Sequence, residues 1–229
     1  METILFYTPG TCSMAGIIAL HRLVEPFQLC RVEKEERSTP AYLRINPRGQ
    51  VPALRVDGRF LAEVNAILAH IANRKPALEL LPREGTWERD IANQWMSYFA
   101  SSFHTAFWPY FNAHRYVNDL ALHDAVREAA IDAIKRELKT VNGLLEGKAF
   151  VLDKPSLLDG YLHAMDRWAN KLVDMANDYP NVWRHQKTMA RDPSVRFASA
   201  IERADGDALR SLPEATGFLL HVSLKNLER

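Results

Sequence analysis

The pattern of apolar and polar positions divides the chain into two regimes. Up to about residue 75 the apolar runs are short and alternate with helical stretches. Residues 3–8 (Thr-Ile-Leu-Phe-Tyr-Thr) carry apolar side chains on both faces, as an interior strand does. Met14, Ile17, Ile18 and His21 then recur at helical spacing from Ser13 to Leu23, with Thr11 or Cys12 as candidate cap. Phe27–Glu33 is a second β-prone run, so strand, helix and strand form a βαβ unit with parallel pairing. Ser38-Thr39-Pro40 marks a helix start and Asn46-Pro47-Arg48-Gly49 a turn. Val51–Val56 reads as a strand, Asp57-Gly58 as a hairpin turn into Arg59–Leu61, and Ile67, Leu68 and Ile71 give a helix from Glu63 to Arg74. The predicted order is β-α-β-α-β-β-α.

Beyond Pro76 the strand signals nearly vanish. Trp87, Ile91, Trp95, Tyr98, Phe99 and Phe103 trace one helical stripe, and Ile131, Ile134, Leu138, Val141 and Leu145 another. A third runs from Leu158 through Trp168 to Met175, and Pro180 and Pro193 open two shorter helices. The expected fold class is therefore α/β followed by all-α. Residues 1–76 form an α/β domain, 77–86 a linker with Pro82 and Gly85, and 87–229 a helical domain ending in an apolar Phe218-Leu219-Leu220 tail.

Composition narrows the functional classes. The 229 residues are 47% hydrophobic and 25% charged, as in ordinary globular proteins. A formal net charge of +1 gives no electrostatic case for a nucleic-acid partner. No segment approaches the roughly 20 apolar residues of a membrane span, and the start lacks the pattern of a secretory signal. Two cysteines, Cys12 and Cys30, suggest neither a disulfide framework nor a metal cluster. The expectation is a cytoplasmic protein without metal, membrane or nucleic-acid partners.

Candidate chemistry gathers at Cys12. A strand meets a Pro9-Gly10 breaker, and the thiol follows where a helix begins. Unpaired amides at a helix start favour thiolate, although a lone cysteine can also be a small packing residue. Cys30, inside an apolar run, reads as packing. Ser97, Ser101, His104 and Trp108 recur at steps of four, three and four. They trace a polar-aromatic face roughly 100° from the stripe ending at Phe103 and Phe107. Pro109 blocks the hydrogen bond to the Thr105 carbonyl and should kink the helix. Ser156 and Asp159 form a capping box that serves stability.

This arrangement resembles the cytosolic glutathione transferases. Phe6-Tyr7-Thr8-Pro9-Gly10-Thr11-Cys12-Ser13 is similar to the opening of the bacterial beta class. Asn46-Pro47-Arg48-Gly49-Gln50-Val51-Pro52-Ala53-Leu54 is similar to the segment carrying the family's cis-proline, and Ser156-Leu157-Leu158-Asp159 to its capping box. The resemblance spans about residues 1–205. It implies a thioredoxin-like first domain, a homodimer, and glutathione as co-substrate without a metal. Cys12 would contact the glutathione sulfur and form mixed disulfides, with His104 nearby. Tyr7 would line the site, and the Val51 backbone beside a cis-Pro52 would pair with glutathione as an added strand. Glu63 and Val64 would hold the γ-glutamyl end at a helix start. Val64 stands where the family often has serine or glycine, Thr105 where it often has lysine, and Ser97 where it has asparagine. Trp108 and Phe111, with Tyr110, would line the pocket for an electrophilic small molecule. The implied activity is conjugation of glutathione to electrophiles, with thiol–disulfide reduction or peroxide removal as a second activity. The rival is a transferase-like binding or regulatory module. The tail lies outside the resemblance and is expected to pack over the electrophile pocket or onto a partner subunit.

Overall fold

In a computed structural model of the chain, residues 2–204, 219–220 and 224 are described. In chain order the elements are β1 (Thr3–Tyr7), α1 (Met14–Leu23), β2 (Gln28–Arg31), α2 (Pro40–Leu43), β3 (Ala53–Val56), β4 (Arg59–Ala62) and α3 (Val64–Arg74). The helices α4 (Trp87–Tyr98), α5 (His104–Ala106), α6 (Trp108–Phe111), α7 (His123–Leu144), α8 (Leu157–Asp166), α9 (Met175–Asp178), α10 (Pro180–Met189) and α11 (Pro193–Arg203) follow, and then strand β5 (Leu219–Leu220). They form two compact units, Met1–Arg83 with Ala190–Arg229, and Glu84–Met189. Helix α11 and strand β5 thus group with the α/β elements, whereas the sequence pattern continues the helical domain from 87 to 229.

The first unit is thioredoxin-like, with strands in the order β4-β3-β1-β2-β5. All five residues of β1 are buried, which is why its apolar positions do not alternate. It pairs in parallel with β2 and antiparallel with β3, so that Leu5 lies between Leu29 and Leu54. On one face Ile4, Phe6, Cys30, Val32, Val51 and Ala53 pack with Tyr42 of α2. Helix α11 is fixed to α1, with the His21 ring stacked on Phe197 at 4.4 Å and His21 Nδ1 2.9 Å from the Ser194 hydroxyl. Arg22 also bridges to Asp192, the N-cap of α11, at 3.0 Å. The tail contributes β5, whose backbone pairs in parallel with Gln28 and Leu29. The backbone at Leu219–Leu220 thus adds a strand to the chain's own sheet, while Phe218 lies outside the described residues.

Two helical stripes in the second unit differ from the pattern. In α4 the buried positions are Arg89, Ala92 and Met96, while Trp87 is 73% exposed. Arg89 can be buried because Glu84 lies 2.6 Å from its guanidinium and Asn93 accepts from its Nε at 3.1 Å. The stripe from Leu158 to Met175 is broken after Asp166 by a 3₁₀ segment, Arg167–Lys171, so it belongs to three short pieces. Among the described residues, no helix is long and apolar enough to cross a membrane.

The capping box at α8 forms as the sequence predicts, and its carboxylate does more than cap. Asp159 accepts from the backbone N–H of Ser156 and of Val151, each at 2.8 Å, and lies 3.1 Å from His185 Nε2. The other ring nitrogen of His185 is 3.9 Å from Asp166, whose second oxygen is 4.0 Å from His163. Burial alone would lower the His185 pKa, but Asp159 and Asp166 outweigh it and push it up to about 9. Raised above the unfolded value, this pKa gives stability that is complete below about 6.5 and is lost as pH rises through 9. His185→Gln strands two buried carboxylates and should cost on the order of 3–5 kcal/mol at pH 6. Denaturant unfolding across pH 6–10 checks this: the gap between native and variant chains should close as pH rises, and a constant gap would refute the charged pair.

Candidate active site

The turn that carries Cys12 is built from hydroxyls. The Thr11 hydroxyl donates to the Thr8 carbonyl at 2.7 Å and lies 2.6 Å from the Ser13 hydroxyl, which accepts from the Thr8 N–H at 3.2 Å. The Thr8 hydroxyl in turn donates to the Val32 carbonyl beyond β2, at 2.6 Å. Gly10 sits at φ +79° with open space around its missing Cβ, so the turn requires glycine for its dihedral rather than for room. Its N–H donates to Glu202 of α11 at 3.0 Å. Helix α1 begins at Met14 with Ser13 as N-cap, one position later than the pattern indicates, which places Cys12 just before the cap. The thiol is 6% exposed, and its sulfur lies 3.8 Å from the Val51 carbonyl oxygen, within donating distance.

Val51 belongs to a segment braced from two sides. The Gln50 carbonyl accepts from the Tyr42 hydroxyl and from Asn46 Nδ2, each at 2.7 Å. Asn46 Oδ1 also accepts from the Arg48 N–H, closing an Asx turn. The bond between Val51 and Pro52 is cis. The Val51 side chain is packed into the core, while its N–H donates to no acceptor among the described residues. A carbonyl facing a thiol and an adjacent unpaired amide form an edge onto which an extended peptide can pair.

The next turn of the site is the start of α3. Glu63, its N-cap, has φ +67°, unusual for a residue with a side chain, and no side chain caps the helix. First-turn amides without a cap are disposed to bind an anion. Val64 is 7% exposed, so its branched side chain is engaged in packing. The Glu63 carboxylate accepts from Arg48 at 2.8 Å, both groups being largely exposed. Arg48 was not singled out by the pattern; its place in the Asn-Pro-Arg-Gly turn, opposite an acidic helix start, is the available signal. Tyr7 is fully buried, its hydroxyl has no hydrogen-bond partner among the described residues, and burial is the main cause that raises its pKa to about 12. It therefore remains a neutral phenol. Cys30 is likewise pushed up to about 12 by burial, in keeping with a packing role.

In the second unit a π turn, Phe99–Phe103, separates α4 from His104. The extra residue breaks the single face expected for Ser97, Ser101, His104 and Trp108. Ser97 and Ser101 are exposed, whereas His104 and Trp108 are partly buried. The helix yields at Phe107, and α6 restarts with Pro109 in its first turn. Burial lowers the His104 pKa to about 4, so the imidazole is neutral at physiological pH. Its ring lies 5.3 Å from that of Trp168, which also meets Phe107 at 5.3 Å and Phe111 at 5.7 Å. Trp108 instead carries the Arg115 guanidinium over its ring at 5.4 Å. Trp168, read from the sequence only as part of a helical stripe, thus gathers His104, Phe107 and Phe111; the break after Asp166 that redirects it leaves no periodic signal. Among the described residues, no group of three or more His, Cys, Asp or Glu side chains could hold a metal.

A thioredoxin-like sheet that sets a thiol against a carbonyl preceding a cis-proline defines a class of thiol-handling folds. Residues 13–73 match the family model described as the N-terminal domain of glutathione S-transferase. A glutathione S-transferase of Xanthomonas campestris pv. campestris is 34% identical over 175 residues, 75% of this chain and 85% of its own. A bacterial beta-class enzyme of Sphingomonas chungbukensis is 35% identical, with a TM-score of 0.79 over 88% of this chain and 98% of its own. A sphingomonad glutathione S-transferase solved in complex with glutathione is 34% identical, with a TM-score of 0.79 over 89% of this chain and 99% of its own. The chain belongs to the glutathione S-transferase family.

The braced turn gives a direct test. Gly49 is at φ +62°, and a Cβ there would lie 2.8 Å from the Arg37 carbonyl oxygen. Gly49→Ala should therefore cost about 2 kcal/mol or more through strain and clash. At roughly 2–4 °C per kcal/mol, the thermal midpoint should fall by about 4–8 °C. Gly10→Ala, which meets only the dihedral penalty, should cost less, and equal losses would contradict the steric account.

Proposed function

We propose that the protein conjugates glutathione to electrophilic small molecules and, through Cys12, also exchanges thiols with glutathione disulfides. The observation that carries this reading is the Cys12 sulfur 3.8 Å from the Val51 carbonyl, beside a Val51 amide that has no acceptor among the described residues. The cysteinyl backbone of glutathione would pair with Val51 next to Pro52, which directs its sulfur toward Cys12. Its γ-glutamyl carboxylate would take the amides at the start of α3, at Val64, while its ammonium would meet Glu63. The glutathione complex of the sphingomonad relative supports this choice of co-substrate.

Cys12 can act as a nucleophile on a disulfide: its thiolate attacks the glutathionyl sulfur of a mixed disulfide between glutathione and another thiol, a Cys12–glutathione disulfide forms, and the other thiolate leaves and is protonated by water. A second glutathione thiolate then regenerates Cys12 and releases glutathione disulfide. In conjugation, the thiolate of bound glutathione attacks the electrophile, and Cys12 orients it. His104, assigned to the reacting sulfur by the family resemblance, would serve as a neutral hydrogen-bonding group rather than a counter-ion. Phe111 and Trp168, whose rings meet at 5.7 Å, would offer an aromatic wall for the electrophile, and Trp108 belongs to the same reading by the family resemblance. Self-association into a homodimer belongs to the same reading.

Cys12→Ala should abolish formation of a mixed disulfide with glutathione, read by intact-protein mass, and reduce disulfide reductase activity to background. Unchanged reductase activity would overturn the assignment. With His104 neutral above about pH 5, its protonation cannot shape the rate between pH 6 and 8. His104→Asn should lower kcat by roughly tenfold or more while leaving the pH midpoint of kcat/KM in place. A displaced midpoint would show that the imidazole titrates with the reaction.

A further inference from the structure

Helices α1 and α11 are joined at both ends and run in opposite directions. His21 and Arg22, in the last turn of α1, meet Ser194 and Asp192 at the start of α11. At the other end the Gly10 N–H, just ahead of α1, donates to Glu202 in the last turn of α11 at 3.0 Å. A helix dipole disfavours an anion in the last turn, so nothing local to α11 calls for glutamate there. The same carboxylate lies at the favoured, positive end of α1. Its field also reaches the end of β1: burial is the main cause of the raised Tyr7 pKa, Arg31 opposes it, and Glu202 adds to it. Gly10 stands at φ +79° with nothing within 4 Å of where a Cβ would lie. Glycine adopts either sign of φ about as readily, so neither crowding nor its own sterics selects this one. In a Pro-Gly turn the two alternatives differ in the glycine φ and in the direction of the intervening N–H. Glu202 accepts that N–H.

We propose that Glu202 is a positioning residue for Cys12: by accepting from the Gly10 N–H it selects the turn conformation that sets the sulfur against the Val51 carbonyl. The inference rests on the reading of Cys12 as the group that exchanges thiols with glutathione. Where two glycine conformations are close in energy, one charge-assisted hydrogen bond shifts their ratio about tenfold or more. Cys12 follows Gly10 by two residues, so a flipped peptide re-aims the sulfur before any other part of the fold is affected. The acceptor matters here, not the charge, since the bond fixes a direction. Helix α11 serves as the rigid mount, clamped to α1 at its far end by Asp192 and Ser194. A helix whose sequence signals only packing thereby acts on the chemistry through its last turn.

Three variants of the full chain separate positioning from charge and from stability. Glu202→Gln keeps an acceptor of the same reach without the charge, and Glu202→Ala removes both. Asp192→Ala loosens the opposite end of α11 by removing its cap and the Arg22 bridge. Each is melted, and each is assayed well below its midpoint on the mixed disulfide of glutathione and mercaptoethanol. Glu202→Ala should lower kcat about tenfold or more, with KM for glutathione held within about twofold. Glu202→Gln should keep kcat within about threefold of the native chain. Asp192→Ala should lower the thermal midpoint at least as far as Glu202→Ala does and leave kcat unchanged. Equal losses of kcat in the Gln and Ala variants would overturn the hold on the N–H in favour of a charge effect. A kcat that falls in step with the midpoint across all three would reduce Glu202 to a structural contact. A native chain that does not turn over the mixed disulfide overturns the functional reading instead. Hydrogen exchange of the Gly10 amide, read by NMR, then decides the contact: it should be about fivefold or more faster in Glu202→Ala than in the native and Gln chains. Equal exchange in all three overturns it.

Discussion

The antiparallel register of β1 against β3 determines where the chemistry of this protein can occur. Phe6 lies opposite Ala53, so the end of β1 and the beginning of β3 meet at one edge of the sheet. The turn after β1 carries Cys12 and the segment before β3 carries Val51 and Pro52. Two residues 39 positions apart are thereby brought to a sulfur–oxygen distance of 3.8 Å. A slip of one residue in this pairing would move Ile4 and Phe6 to the opposite face of the sheet, into packing shaped for Thr3, Leu5 and Tyr7. Burial of both faces of β1 makes such a slip costly, and the stability of the sheet and the geometry of the thiol are therefore one constraint.

Around that constraint the cysteine turn and the segment opposite it are fixed by hydroxyl and amide dipoles. Thr8, Thr11 and Ser13 fix the turn through hydroxyls, and Tyr42 and Asn46 fix the Gln50 carbonyl. Burial keeps Tyr7 and His104 neutral. The exposed pair of Arg48 and Glu63 stands at the helix start, where the charged end of a peptide-like ligand is expected. The protonated imidazole of His185 does different work: it lies between the capping carboxylate at the start of α8 and Asp166 at its end, and so ties α10 to α8 inside the helical unit. Fixed hydroxyls and amides do not need to reorganise as charge develops on sulfur, which suits thiol chemistry.

Much of this was legible in the residues. The order of strands and helices through Arg74 follows from alternation, helical spacing and the turn residues at Pro9-Gly10, Asn46-Pro47 and Asp57-Gly58. The capping box at Ser156 and Asp159 and the break before Pro109 are local effects of side-chain oxygens and a missing N–H, and local effects leave local signals. The stripe through α4 holds at Phe99 and Phe103 but not at Trp87, because Arg89, polar by type, is buried with Glu84 and Asn93 as partners while Trp87 is left exposed. Periodicity scores residue type and cannot score a partner. The π turn at Phe99–Phe103 escaped for a similar reason, since one added residue shifts a face without changing composition.

By itself the sequence determined the elements, the breakers between them and the residue types at the candidate site, because each depends on neighbours within a few positions. Only the tertiary structure decided which of these meet: the thiol with the Val51 carbonyl, Arg48 with Glu63, Trp168 with His104, and the backbone of Leu219–Leu220 with β2. Those pairings depend on strand register, on backbone turns outside the regular periods, and on the sheet edge left open for one more strand. None of these is a property of a short stretch of residues.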